Sequence, residues 1–60
     1  MNWIVMFYNN RYRIINEFVL SNMTEKQAEE EVRRQIQLFR EHVEDWTMEE
    51  VNTVKDDSIR

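Results

Sequence analysis

Three pairs of adjacent carboxylates mark the C-terminal third of this chain: Glu44-Asp45, Glu49-Glu50 and Asp56-Asp57. General acid–base catalysis needs two such groups in one cleft, with burial driving their pKa values apart. A chain of 60 residues has little room for a cleft, so the pairs read as solvated charge. A loose Ca²⁺ site would use the same acids, but the EF-hand spacing and its glycine are missing. The one histidine, His42, has no serine or cysteine partner evident in sequence and reads as a surface or boundary residue. There is no cysteine, so a zinc ion would need carboxylates to complete its shell. The reading is a non-enzyme with no catalytic residues, no metal and no cofactor.

A second chemical signal is basic and aromatic: Tyr8, Arg11, Tyr12 and Arg13. Arginines beside aromatic faces are what single-stranded nucleic acid binding uses. Two arginines give a weak electrostatic footprint, and a chain of net charge −4 repels phosphate overall. Nucleic acid is therefore disfavoured as a partner, and weak single-stranded binding through this tip stays a second alternative. The charge is uneven along the chain. Residues 1–23 carry Arg11, Arg13 and Glu17, whereas residues 41–60 carry seven acids against Lys55 and Arg60, a net −5. Such a third can steer the molecule toward basic surfaces, including those that otherwise bind nucleic acid.

Glycine and proline are both absent, which excludes phosphate-cradling loops, nucleophile elbows and Rossmann turns, all of which need close backbone approach. The longest apolar run, Trp3 to Phe7, is too short to span a bilayer. It also lacks the basic n-region and small-residue cleavage site of a secretory signal. The expected compartment is the cytoplasm, with no membrane partner.

Four elements must position whatever functions here, within one domain over 1–60. Residues 2–8 read as a strand apolar on both sides, which places it inside a sheet. Asn9-Asn10 can turn without glycine, in a type I′ hairpin. Residues 11–20 then alternate, with Tyr12, Ile14, Phe18 and Leu20 expected to face a helix. That helix is expected over 25–44, from the stripe Ala28, Val32, Ile36, Phe39, Val43 and Trp46 at steps of 4, 4, 3, 4 and 3. Thr24 and Gln27 form a capping box for it, and Glu29–Arg33 and Glu30–Arg34 are favourable i,i+4 pairs.

Residues 46–54 read two ways. As a helix they have a capping box in Thr47 and Glu50 with Trp46 and Val51 as a staple. As a strand they offer Trp46, Thr47, Val51, Thr53 and Val54. An interior first strand wants two neighbours, and this decides for ββαβ over ββαα: an α+β fold, with a three-stranded antiparallel sheet of order 2-1-3 packed on one helix. Residues 56–60 read as a frayed tail.

The sheet side away from the helix is expected to expose either Trp3, Val5 and Phe7 or Ile4 and Met6, together with Ile15 and Val19. Leu38 lies off the helix stripe. An exposed apolar face marks a protein interface, so the expected partner-binding residues are Trp3, Val5, Phe7, Tyr8, Arg11, Arg13, Ile15, Val19, Leu38, Glu49 and Glu50. The function read from these is a small acidic protein-binding module, a regulator or inhibitor of a larger protein with a basic or apolar surface. A self-assembling homo-oligomer, down to a homodimer, is the alternative. In size and character the chain is similar to small accessory proteins carried by bacteriophages or mobile elements, with no motif tying it to a family.

Overall fold

The computed structural model describes residues 1–51. They form β1 (Asn2–Tyr8), β2 (Ile14–Leu20), α1 (Glu25–Leu38) and β3 (Asp45–Val51). The sheet has the order β2-β1-β3 with both pairings antiparallel, an open α+β fold. Residues 52–54 of the expected third strand, and the expected tail, lie outside the described residues.

β1 is central because Trp3 to Phe7 form an unbroken apolar run that covers both of its faces. Its odd-numbered residues Trp3, Val5 and Phe7 are buried, and with Leu20, Ala28 and Val32 they make the core. Adjacent side chains on a strand point to opposite faces, so Ile4, Met6 and Tyr8 turn the other way. α1 lays Ala28 and Val32 on the odd face, with Ile36 and Phe39 packed against the same cluster.

Hydrogen bonds between the β2–α1 connection and the start of β1 set where the helix begins. The Met23 amide donates to the Met1 carbonyl at 2.9 Å, and the Asn22 amide donates to Asn2 Oδ1 at 3.1 Å. The Trp3 indole Nε1 donates to the Met23 carbonyl at 2.9 Å. The capping box then forms: Thr24 Oγ1 accepts from the Gln27 amide at 3.2 Å, and Gln27 Oε1 accepts from the Thr24 amide at 3.0 Å.

The helix stops at Leu38, six residues short of the expected 44. Length explains this. Fourteen helical residues reach about 21 Å and a seven-residue strand about 23 Å. Another turn would overhang the sheet with nothing to bury against. Phe39 instead takes an extended conformation (φ −72°, ψ 139°) and sets its ring edge-on to Phe7, 5.5 Å between centroids. Val43 and Trp46 continue the stripe in sequence and reach the same core, but from a loop and from β3. The Glu44 amide donates to the Tyr8 carbonyl at 2.8 Å and leads into β3.

The hairpin differs from expectation at its tip. Asn9 Oδ1 accepts from the amides of Arg11 (2.8 Å) and Arg13 (3.0 Å), the Tyr12 amide donates to the Asn9 carbonyl at 2.9 Å, and Tyr12 sits at φ 61°. This is a wider loop than a two-residue type I′ turn, so β2 begins at Ile14 and not at residue 11. Phe7 pairs with Asn16 but Tyr8 pairs with Ile14, which leaves Ile15 as the extra residue of a bulge. The bulge reverses the alternation. Ile14 joins the open face and is exposed, while Ile15 packs against the core cluster. Tyr12 points to solvent as well, so the helix-facing side of β2 is only Phe18 and Leu20 among the four residues expected there.

Candidate functional site: the open face of the sheet

The register assembles one surface from alternate residues of all three strands. Across it, Val19 pairs with Ile4 and Ile4 with Glu49; Glu17 pairs with Met6 and Met6 with Thr47; Ile14 pairs with Tyr8 and Tyr8 with Asp45. An apolar ridge of Ile4, Met6 and Tyr8 therefore runs up the middle, with Val19 and Ile14 on one flank. Carboxylates stand on both flanks: Glu17 on β2, Asp45 and Glu49 on β3. No lysine or arginine occurs in any of the three strands. The ridge is ordered by the Tyr8 hydroxyl, which lies 3.6 Å from Met6 Sδ and 3.3 Å from Thr47 Oγ1. The phenol ring is thereby held across the face.

Several expected interface residues are elsewhere. Trp3, Val5 and Phe7 are core, 6%, 0% and 0% exposed, so they offer nothing to a partner. The open face uses the other alternative, Ile4 and Met6. Ile15 is withdrawn by the bulge. Tyr8, Val19 and Glu49 do lie on the open face, Val19 being 58% exposed. Glu50 pairs with Trp3, on the helix side, where it is exposed. Leu38 is 69% exposed at the end of α1, in the other layer. Arg11 and Arg13 flank exposed Tyr12 at the hairpin tip.

Ile4, Met6, Ile14, Glu17, Asp45 and Thr47 were not among the expected site residues. For β1 a signal existed: Asn2 and Tyr8, the two polar residues of the strand, share parity with Ile4 and Met6 and mark that side as outward. For Ile14 there was none, because a bulge in a glycine-free hairpin leaves no compositional trace.

The two described carboxylate pairs do not converge. Glu49 and Glu50 point to opposite faces of β3, and Asp45 Oδ1 accepts from the Trp46 amide at 2.8 Å. Glu44 Oε1 lies 3.1 Å from His42 Nε2, with both side chains largely exposed. Asp56-Asp57 lies outside the described residues. Among the described residues no three His, Asp or Glu side chains are grouped to hold a metal. No described helix is long and apolar enough to cross a membrane. A comparison with protein families, curated proteins and solved structures finds no match to this chain.

Proposed function

We propose that the protein is a non-enzymatic binding module that regulates or inhibits a larger protein by docking it on the open sheet face. The observation that carries this is the Ile4–Met6–Tyr8 ridge, whose flanking strands carry acidic charge and no basic charge. Apolar side chains supply the area removed from water on docking, and the carboxylates choose a partner whose rim is basic. Long-range attraction from the acidic C-terminal third speeds the encounter and makes it salt-sensitive.

The test is co-purification from the cells that encode the chain, comparing the parent protein with Ile4→Lys. That substitution removes apolar contact and sets a positive charge against a basic partner. The partner should be retained by the parent, lost with Ile4→Lys, retained with Glu30→Gln on the exposed side of α1, and released by raised salt. A partner held equally by Ile4→Lys would place the docking surface elsewhere.

A further inference from the structure

The sheet has two edges, and they are built differently. β3 carries Asp45, Glu49 and Glu50 among its seven residues, and charge on an edge discourages another strand from adding to it. β2 carries one charge, Glu17, with no lysine and no proline. Its only strand partner among the described residues is β1, so its outer row of backbone donors and acceptors is open. Such a row is a template for a further strand. We infer that a second copy of this chain occupies it, pairing β2 antiparallel with its own counterpart across a two-fold axis into a continuous six-stranded sheet.

The register of that pairing follows from the fold. The bulge at Ile15 ends the regular strand on one side and the turn at Ser21 ends it on the other, leaving 16–20 as the usable window. Both helices stay in one layer only if helix-facing residues oppose helix-facing residues, because directly opposed side chains in an antiparallel pair share a face. Centring on Phe18 satisfies this over the full window: Phe18 meets Phe18 of the second copy, Asn16 meets Leu20, and Glu17 meets Val19. Centring on Glu17 would set two carboxylates against each other.

Charge also selects this edge. Two molecules of net −4 repel, and the acids concentrate in the third of the chain that contains β3. Joining at β2 leaves the two β3 strands five strand spacings apart, about 24 Å. That is about three Debye lengths at physiological salt. The antiparallel arrangement also carries Arg11 and Arg13 of one copy toward the start of α1 in the other, where Glu25 sits in the first turn. The open faces of the two copies become one broader surface.

Sedimentation equilibrium of the whole chain across the micromolar range tests this, and a monomer–dimer equilibrium is expected. Val19→Glu, at an exposed position, sets a carboxylate against Glu17 twice per dimer and should weaken association about tenfold. Adding Glu17→Lys to Val19→Glu should restore the parent constant, and Val19→Lys alone should tighten it. Ile14→Glu, on the open face beyond the bulge, should leave association unchanged. A chain monomeric at every concentration overturns the pairing, as does a dimer indifferent to Val19→Glu. A dimer dissolved by Ile14→Glu also overturns it, since such a dimer would be stacked face to face.

Discussion

β1 contributes to two surfaces with opposite fates. Trp3, Val5 and Phe7 lie under the helix, while Ile4, Met6 and Tyr8 remain on the open face with the acids of β2 and β3. Hydrophobicity does not separate the two sets, since Ile4 is as apolar as Val5. The difference comes from what each face is offered. One meets Ala28 and Val32, small enough to let the helix approach, with Phe18 and Phe39 edge-on to Phe7 at 5.4 and 5.5 Å. Among the described residues the other meets only its cross-strand neighbours, carboxylates included. An apolar residue in this fold is structural or available according to its parity.

Substitutions of matched chemistry on the two faces should therefore differ greatly. Phe7→Ala leaves a cavity between two aromatic rings and should cost about 3–5 kcal/mol. At about 0.05–0.15 kcal/mol per residue, a domain of 60 residues has roughly 3–9 kcal/mol in total. The expected outcome is a chain largely unfolded by circular dichroism at ambient temperature; a cooperative, near-parental urea transition would refute the core assignment. Trp3→Phe is the next largest effect. It keeps an aromatic body but removes the indole donor to the Met23 carbonyl, and should lower stability by about 2 kcal/mol in urea titration.

The two-layer architecture was legible because β1 is apolar on both sides and so demanded two neighbours. Strand order and the capping box at Thr24 and Gln27 follow from single residues and show in the structure. What was illegible depended on length matching and local irregularity. The stripe from Ala28 to Trp46 keeps helical spacing throughout, yet only Ala28, Val32 and Ile36 use it within α1, because no periodicity encodes where the sheet underneath ends. The bulge at Ile15 inverted the sides assigned to Ile14 and Ile15, and parity errors of this kind move every residue beyond them. The open face was anticipated with Tyr8, Val19 and Glu49 on it and Ile4 with Met6 as one of two alternatives; Ile14, Glu17, Asp45 and Thr47 were not.

Two smaller substitutions sharpen the comparison where the faces join. Tyr12 holds φ 61° with its side chain 75% exposed, a conformation that costs a non-glycine residue about 1–2 kcal/mol. Tyr12→Gly relieves this and gives back part through greater freedom of the unfolded chain. A net gain of about 0.5–1 kcal/mol is expected, visible as a raised urea midpoint; a lowered midpoint would mean that the tyrosine ring packs on the hairpin. Ile4→Thr keeps β-branching on the open face, where Ile4 is half-buried in the central strand, and should cost about 1 kcal/mol, well short of Phe7→Ala. A loss near that of Phe7→Ala would show the open face to be covered.

The smallest effect should come from outside both faces, on the surface of α1. Arg34 donates to both carboxylate oxygens of Glu31, from Nε at 3.2 Å and Nη2 at 2.7 Å, and Gln35 Nε2 donates at 2.7 Å. Arg34 thus pairs at i,i+3 with Glu31 and not at i,i+4 with Glu30 as expected, because the guanidinium presents two parallel donors to one carboxylate. The hydrogen bonds from Arg34, then those from Gln35, hold the Glu31 carboxyl below its ordinary range. A depressed acid stabilises the folded chain above its unfolded pKa, and that contribution disappears as pH falls through the folded value. Solvent screens the pair, so the effect is slight. Glu31→Gln should lower the urea midpoint a little at neutral pH and match the parent in acid below the carboxylate range. A difference that grows on acidification would reverse the sign and remove this pair as its cause. Against Phe7→Ala, the contrast would locate the stability of the molecule under the helix, not in the charges that cover it.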